Sequence, residues 1–331
     1  LYTACPNQLL KNKQQRSIKP MLKIIEPIDR ELLKKELTPE RFIRNTNNGN
    51  NKIYIISNHD SPHLMLEIGR LREVTFRAAG GGTGKDCDID HFDTDAVCYK
   101  QLIVWNDNEE EIVGGYRFIR CGDVIDYNKQ EVKLATSGMF NFSERFLKDY
   151  MPQTIELGRS FVQPKFQPGV DARKGLFALD NIWDGLGTII VDHPDIKYFF
   201  GKVTMYLDFN REARDMILYF LKKFFPDKEM LMTPFNPLPI YTDEEKLESL
   251  FSGLDFKEAF KILNNNVRAL GENIPPLVNI YMNLSPSMRT FGTALNQSFG
   301  QVEETGILVT IDDIYPAKKE RHISTYHKNE G

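Results

Sequence analysis

In the stretch TIELGRSFVQP, residues 154–164, a glutamate and an arginine stand three apart in a run otherwise composed like a buried strand. Glu156 supplies a carboxylate able to take a proton from an amine, and Arg159 supplies a planar fork of donors able to grip a carboxylate at two points. In a regular strand, residues i and i+3 face opposite ways, so these two can serve one site only if the strand carries an extra residue. Gly158 is the natural position for such a bulge. An interior bulge also leaves backbone N–H groups available to polarise a carbonyl, which is what the oxyanion of an acyl transfer requires.

Three more places hold charges that a core does not choose: Arg72, the pair Asp90 and Asp93 in DIDHFDTDA, and Arg117. Burying any of them unpaired costs several kcal/mol, so they need one another. One reading is a structural network in which Arg72, Arg117 and Arg159 hold Asp90, Asp93 and Glu156. The other is a cleft that borrows groups from a helix end, a loop and two strands, and their spread along the chain favours the cleft.

The elements that must carry these residues can be read from period and punctuation. Residues 22–44 have helical character and run into the polar loop NTNNGNN, and KIYIIS at 52–57 is a strand. Ser61 and Pro62 then mark a helix start, with Leu64, Ile68, Leu71 and Thr75 as its core stripe, and Arg72 and Phe76 on a neighbouring face. KQLIVWN and EIVGGYRFI form an antiparallel hairpin around the acidic turn DNEEE, with Arg117 on the second strand. TIELGRSFV is the next strand, closed by Pro164. A helix around GLFALDNIWDGLGTIIVDHP, the strand IKYFFGKVTMY and the amphipathic helix NREARDMILYFLKKFF, stopped by Pro226, complete a sheet covered by helices. The rest reads as a Pro-rich and then helical insertion at 227–275, a short helix IPPLVNIYMNL, one last strand GILVTIDDIY and a charged tail at 317–331. The main domain therefore spans 52–316, preceded by a helical segment and loop at 21–51.

Composition narrows the function classes. With 331 residues, 41% of them hydrophobic, and a net charge of −4, the chain can bury a large core and has no basic field suited to nucleic acid. Four scattered cysteines without a C-x-x-C pair suit a reducing compartment, and six histidines form no zinc spacing, so no metal site is expected. The absence of a membrane-length apolar run and of a signal-peptide core points to a cytoplasmic protein. Residues 1–20 carry four basic and no acidic side chains and read as a flexible leader, either loose or touching anionic lipid at the inner membrane face. The glycines of AAGGGTGKDCDIDHFDTDA suggest a phosphate cradle, but Lys85 is followed by Asp86 where a Walker motif has Ser or Thr, and a mobile loop is the better reading.

Taken in order, LREVTF, DIDHFDTDA, YKQLIVWNDNEEEIVGGYRFI, IELGRSFVQPKF, IWDGLGTIIVDHPDIKYFFG and IPPLVNIYMNL resemble the bacterial ornithine-lipid and glycine-lipid N-acyltransferases, often labelled hemolysin-like, and more distantly the acyl-homoserine-lactone synthases. The resemblance spans residues 52 to 315 and implies a GNAT-like α/β fold with a mixed, largely antiparallel sheet. It implies transfer of a fatty acyl chain, usually 3-hydroxylated, from acyl carrier protein to the α-amino group of glycine or ornithine. It also implies Glu156 as base, with Arg159, Asp90 and Asp93 in the catalytic group and Arg72, Phe76, Arg117, Gly158 and Ser160 in substrate binding.

The coenzyme A pyrophosphate motif Q/R-x-x-G-x-G/A is missing from DARKGLFALDN. A phosphopantetheine thioester on acyl carrier protein, with no bound cofactor, accounts for the loss, and Lys165, Arg173 and Lys174 are basic residues able to meet an acidic carrier. A lactone synthase using S-adenosylmethionine is the alternative enzyme, and a membrane-active protein of the hemolysin type the alternative outside catalysis.

Overall fold

The computed structural model of the chain describes residues 21–126, 131–167 and 177–327. In chain order the elements are α1 (Arg30–Glu36), β1 (Phe42–Asn45), β2 (Lys52–Ile56), α2 (Pro62–Ala78), α3 (His91–Thr94), β3 (Lys100–Asn106) and β4 (Glu111–Arg120). The short strands β5 (Ile125–Asp126), β6 (Glu131–Val132) and β7 (Phe140–Phe142) follow, then β8 (Thr154–Val162), α4 (Ala178–Asp192), β9 (Tyr198–Met205), α5 (Arg211–Phe224) and β10 (Met232–Pro234). The described residues end with α6 (Glu244–Phe251), α7 (Phe256–Ala269), α8 (Pro276–Met282), β11 (Arg289–Asn296), β12 (Val302–Thr310) and α9 (Pro316–His322).

Eight strands form one sheet in the order β1-β2-β3-β4-β8-β9-β12-β11. Neighbours are antiparallel except β8 and β9, which run parallel from Thr154 opposite Tyr198 to Leu157 opposite Gly201. The result is the mixed, mostly antiparallel α/β architecture that the sequence resemblance implies. One face carries the largest apolar cluster, where Ile182, Leu186 and Ile189 of α4 and Ile217 and Leu221 of α5 meet Leu102, Val104, Leu157 and Val203 of the strands. α2 packs on the opposite face, through Leu64, Ile68 and Leu71 against Ile103, Trp105 and Phe161.

Three elements differ from the sequence reading. The helix expected across 22–44 is confined to Arg30–Glu36, capped by Asp29 accepting from the Glu31 N–H at 2.8 Å, and Phe42–Asn45 instead becomes edge strand β1 against β2. The final strand is not alone: β11 pairs with it as a hairpin, and β12 in turn pairs with β9 along eight register positions. Gly292, in the left-handed region, interrupts β11, which obscures its period in the sequence. Finally, part of the charged tail is helix α9, docked on α4 by the buried His322, whose Nδ1 lies 2.8 Å from Asp184 Oδ1.

The glycine cluster also has a structural explanation. Glu73 of α2 accepts hydrogen bonds from the Thr83 N–H, the Thr83 hydroxyl and the Gly84 N–H at 2.8–3.1 Å, so the segment expected to be mobile is tied to the helix before it. Gly300, at φ +70° in the β11–β12 turn, packs so closely on this loop that a Cβ there would lie 2.8 Å from Gly81 Cα. The glycines let two loops close on each other above the sheet.

Candidate active site

The register of β4 against β8 contains the irregularity expected from the sequence. Gly115 faces Phe161 and Arg117 faces Gly158, so Tyr116 alone on β4 is answered by Arg159 and Ser160 on β8. The backbone in the left-handed region belongs to Arg159, at φ +51°, whereas Gly158 does not adopt a positive φ. A non-glycine residue held there stores on the order of 1 kcal/mol or more of strain, a cost that clusters at working sites.

Just past this point β8 and β9 separate. Their pairing stops at Leu157 and Gly201 although both strands continue, and the wedge between them holds a cavity of about 70 Å³. Its walls pass through the sheet. Tyr116 and Leu157, with Leu277 and Tyr281 of α8, line it from the α4/α5 face, while Phe76, Lys202, Thr204, Phe299 and Glu304 line it from the other; Gly158, Arg159 and Ser160 form the rim on β8. One wall is thus aromatic and apolar, and the other is charged.

Arg159 is the arginine of the expected set that reaches this cavity. Its Nε lies 2.9 Å from Asp88 Oδ2 and its Nη2 3.8 Å from Asp90 Oδ2, and the guanidinium sits 4.2 Å from the centre of the Phe299 ring. Neither Arg159 Nε nor Asp88 Oδ2 finds an aligned hydrogen-bond partner among the described residues, so the ion pair leaves donors of the fork unspent. Phe299 in turn meets Phe76 edge-on at 5.0 Å. The β11–β12 turn therefore folds an aromatic cover over both Arg159 and Phe76.

Arg72, Arg117 and Asp93 lie outside the cavity, in a lattice behind it. Arg72 and Asp93 are fully buried; Arg72 Nη1 reaches both Asp93 oxygens at 3.3 Å, and Arg117 Nη1 reaches Asp93 Oδ2 at 3.2 Å and Asp90 Oδ1 at 2.9 Å. Gln101 donates to Asp93 Oδ1 at 3.0 Å. Burial alone would raise the Asp93 carboxyl, but Arg72 and Arg117 hold it far below the usual carboxylate range, so it has no capacity to shuttle a proton near neutrality. Asp90 caps α3 and steadies Arg117. These residues were assigned to catalysis or substrate binding by resemblance; their position fits them to brace the strand that carries Arg159.

Glu156 lies on the same side of the sheet as this lattice but outside it. It is 1% exposed, and its Oε2 accepts a 2.8 Å hydrogen bond from the Tyr99 hydroxyl, which itself accepts from the Ala135 N–H at 2.9 Å. Burial pushes its carboxyl up to about 7, against the opposing pull of Tyr99, Arg117 and Lys202. A carboxylic acid that changes protonation near neutral pH is suited to moving a proton. It does not touch Arg159: the bulge turns the arginine toward Asp88 and Asp90, and the glutamate toward Tyr99.

Several members of the site were not singled out from the sequence. Lys202 on β9 and Glu304 on β12 are ion-paired to each other in the cavity wall, and Asn296 Nδ2 donates to Glu304 Oε2 at 2.8 Å. Tyr281 and Phe299 read as ordinary core aromatics, since nothing local in the chain marks the strand split that gathers them, and Tyr99 meets Glu156 away from the cavity lining. Of the basic residues proposed for carrier contact, Lys165 pairs with Glu109 at 2.8 Å and Glu111 at 3.0 Å, while Arg173 and Lys174 lie outside the described residues. Among the described residues there is no cluster of ligands able to hold a metal ion, and no helix is long and apolar enough to cross a membrane.

Comparison with known proteins follows the same lines. Residues 71–173 match the model of the acetyltransferase (GNAT) domain. The chain is 58% identical over 306 residues to a glycine N(alpha)-acyltransferase of Bacteroides thetaiotaomicron, covering 92% of this chain and 91% of that protein. It is 57% identical over 309 residues to a glycine N(alpha)-acyltransferase of Phocaeicola vulgatus, covering 93% and 94%. No solved structure matches.

Proposed function

The chain belongs to the family of these glycine N(alpha)-acyltransferases and is an acyltransferase, and on that premise we propose that it moves a fatty acyl chain, usually 3-hydroxylated, from the thioester of acyl carrier protein to the α-amino group of glycine, as a step in making an aminolipid. The observation that carries this reading is the cavity at the split between β8 and β9, with an apolar wall on one side and a charged wall, with Arg159 on its rim, on the other.

The thioester enters from the aromatic side, where Leu277 and Tyr281 face the slender pantetheine arm and the start of the acyl chain. The acceptor enters from the charged side and lays its carboxylate on the unspent donors of Arg159. A cavity of about 70 Å³ favours the smallest amino acid, being about half the ~150 Å³ of an engineered protein cavity that binds benzene. Backbone N–H groups beside the bulge at Arg159 face the developing oxyanion.

Attack requires a neutral amine. Glu156, buried behind the cavity wall and ionised over the upper part of the neutral range, is the proton's destination, reached by relay rather than by direct contact with the acceptor. The nitrogen lone pair then bonds to the carbonyl carbon, the carbon–sulfur bond breaks, and sulfur leaves as the thiol with one proton. The second proton lost from nitrogen passes to solvent, so N-acylglycine, free thiol and one proton balance the zwitterion and thioester consumed.

Purified protein given 3-hydroxyacyl-acyl carrier protein and glycine should yield N-acylglycine by mass spectrometry. Ornithine, and the matching coenzyme A thioester, run in parallel, should give at most about a tenth of that rate. Equal or faster transfer to ornithine would overturn the acceptor, equal use of the coenzyme A thioester would overturn the donor, and no acyl-amino acid from any pairing would overturn the reading.

A further inference from the structure

Glu304 has a place in the site that the resemblance did not assign. It is 3% exposed, lines the charged side of the cavity, and comes from β12, across the split from Arg159 on β8. Its two oxygens are unequally engaged. Oε2 takes the Lys202 ammonium and the Asn296 amide, whereas Oε1, among the described residues, has only the Thr204 hydroxyl at a long 3.4 Å. A buried carboxylate whose second oxygen is so weakly satisfied is an incomplete site for a donor. Thr204 and Glu304 both line the cavity, so the weakly satisfied end of the carboxylate belongs to two residues of its wall.

We propose that Glu304 binds the ammonium group of the acceptor, so that a small zwitterion is held at both ends, carboxylate on Arg159 and ammonium on Glu304. This inference rests on the acceptor reading above and assigns the site its second charge. Lys202 keeps Glu304 from carrying an uncompensated buried charge in the empty site, and the arriving ammonium shares that carboxylate with it. Two opposite charges on separate strands also discriminate by charge: a zwitterion meets both, and an amine or a carboxylate alone meets only one. The role of Glu304 is recognition, while proton removal stays with Glu156, whose carboxyl titrates near neutrality.

The test is the Glu304→Gln variant of the whole chain, checked for folding by its melting curve. Glutamine can keep its oxygen toward Lys202 and Asn296 and turn its amide nitrogen to Thr204. The KM for glycine should rise roughly 10- to 100-fold, the loss expected for a hydrogen bond between charged groups, with kcat changed less than about threefold and the KM for the acyl donor unchanged. Aminooxyacetate, which keeps the carboxylate but carries an oxyamine that is neutral at pH 7, should show the same KM in both forms. An unchanged glycine KM in the variant, beside a wild type that acylates glycine, would overturn the proposal and leave the acyltransferase reading standing, as would an equal rise in KM for both acceptors. A wild type that transfers nothing to glycine would overturn both. If the variant does not fold, the wild type decides: methoxyacetate, a carboxylate with no ammonium, should inhibit with a constant at least roughly tenfold above the KM for glycine, and equal values for the two would overturn the proposal.

Discussion

Glu156→Gln should make the protein more stable at high pH and inactive at the same time, a combination that a carboxylate serving the fold alone would not produce. The folded chain holds the Glu156 carboxyl at about 7 against an ordinary 4.5 because burial penalises the charged form. That distance corresponds to about 3 kcal/mol against ionisation. Because the folded state binds this proton more tightly than the unfolded chain, the associated stability is fully present below about pH 4.5 and is lost as pH rises through about 7. Glutamine has no charge to desolvate, and its amide oxygen can accept the same bond from the Tyr99 hydroxyl. Below about pH 4.5 the two proteins should therefore melt together, and above about pH 8 the variant should melt roughly 4 °C higher, given ~2.1 cal/mol/K of unfolding entropy per residue. Its kcat should fall by about 10²- to 10⁴-fold, the usual worth of a positioned base, and the acid limb near pH 7 in kcat/KM should disappear. Melting curves that stay parallel across this pH range would refute the displaced ionisation. A variant that keeps its rate within tenfold and retains the limb would refute the base.

Gly300→Ala places a Cβ 2.8 Å from Gly81 Cα at a backbone angle of +70°, so the β11–β12 turn must move and lift Phe299 from Arg159. A loss of about 1–3 kcal/mol in urea unfolding is expected, together with a raised KM for the acceptor; a KM at the wild-type value would show that the aromatic cover does not help to hold it. Asp93→Ala strands Arg72 in the interior and leaves Arg117 with Asp90 alone, and unfolding in denaturant should reveal a loss of about 3–5 kcal/mol. A cost under about 1 kcal/mol would mean that the lattice does not brace the strand.

Much of this protein could be read along the chain. The helix beginning at Ser61 and Pro62, the hairpin of β3 and β4, and the strand with Glu156 and Arg159 each announce themselves by period and by the residues that stop them. The extra residue on β8 was also foreseeable, because two opposite charges three apart can share a side of a strand only through such a break. These are local signals, spanning a few neighbouring residues whose backbone preferences depend little on the rest of the chain.

Which charges stand at the cavity was decided by tertiary structure alone. Arg72, Arg117 and Arg159 are the same residue type on the same side of one sheet, yet two are consumed by Asp93 and one is left at the rim. Lys202 and Glu304 lie about a hundred positions apart and meet because β9 and β12 pair. The cavity itself exists because β8 and β9 part after Leu157 and Gly201, and no residue on either strand signals that separation by itself. Side-chain identity fixes what a group can do, but desolvation and partnership fix what it does do, and both depend on neighbours that only the folded chain brings together.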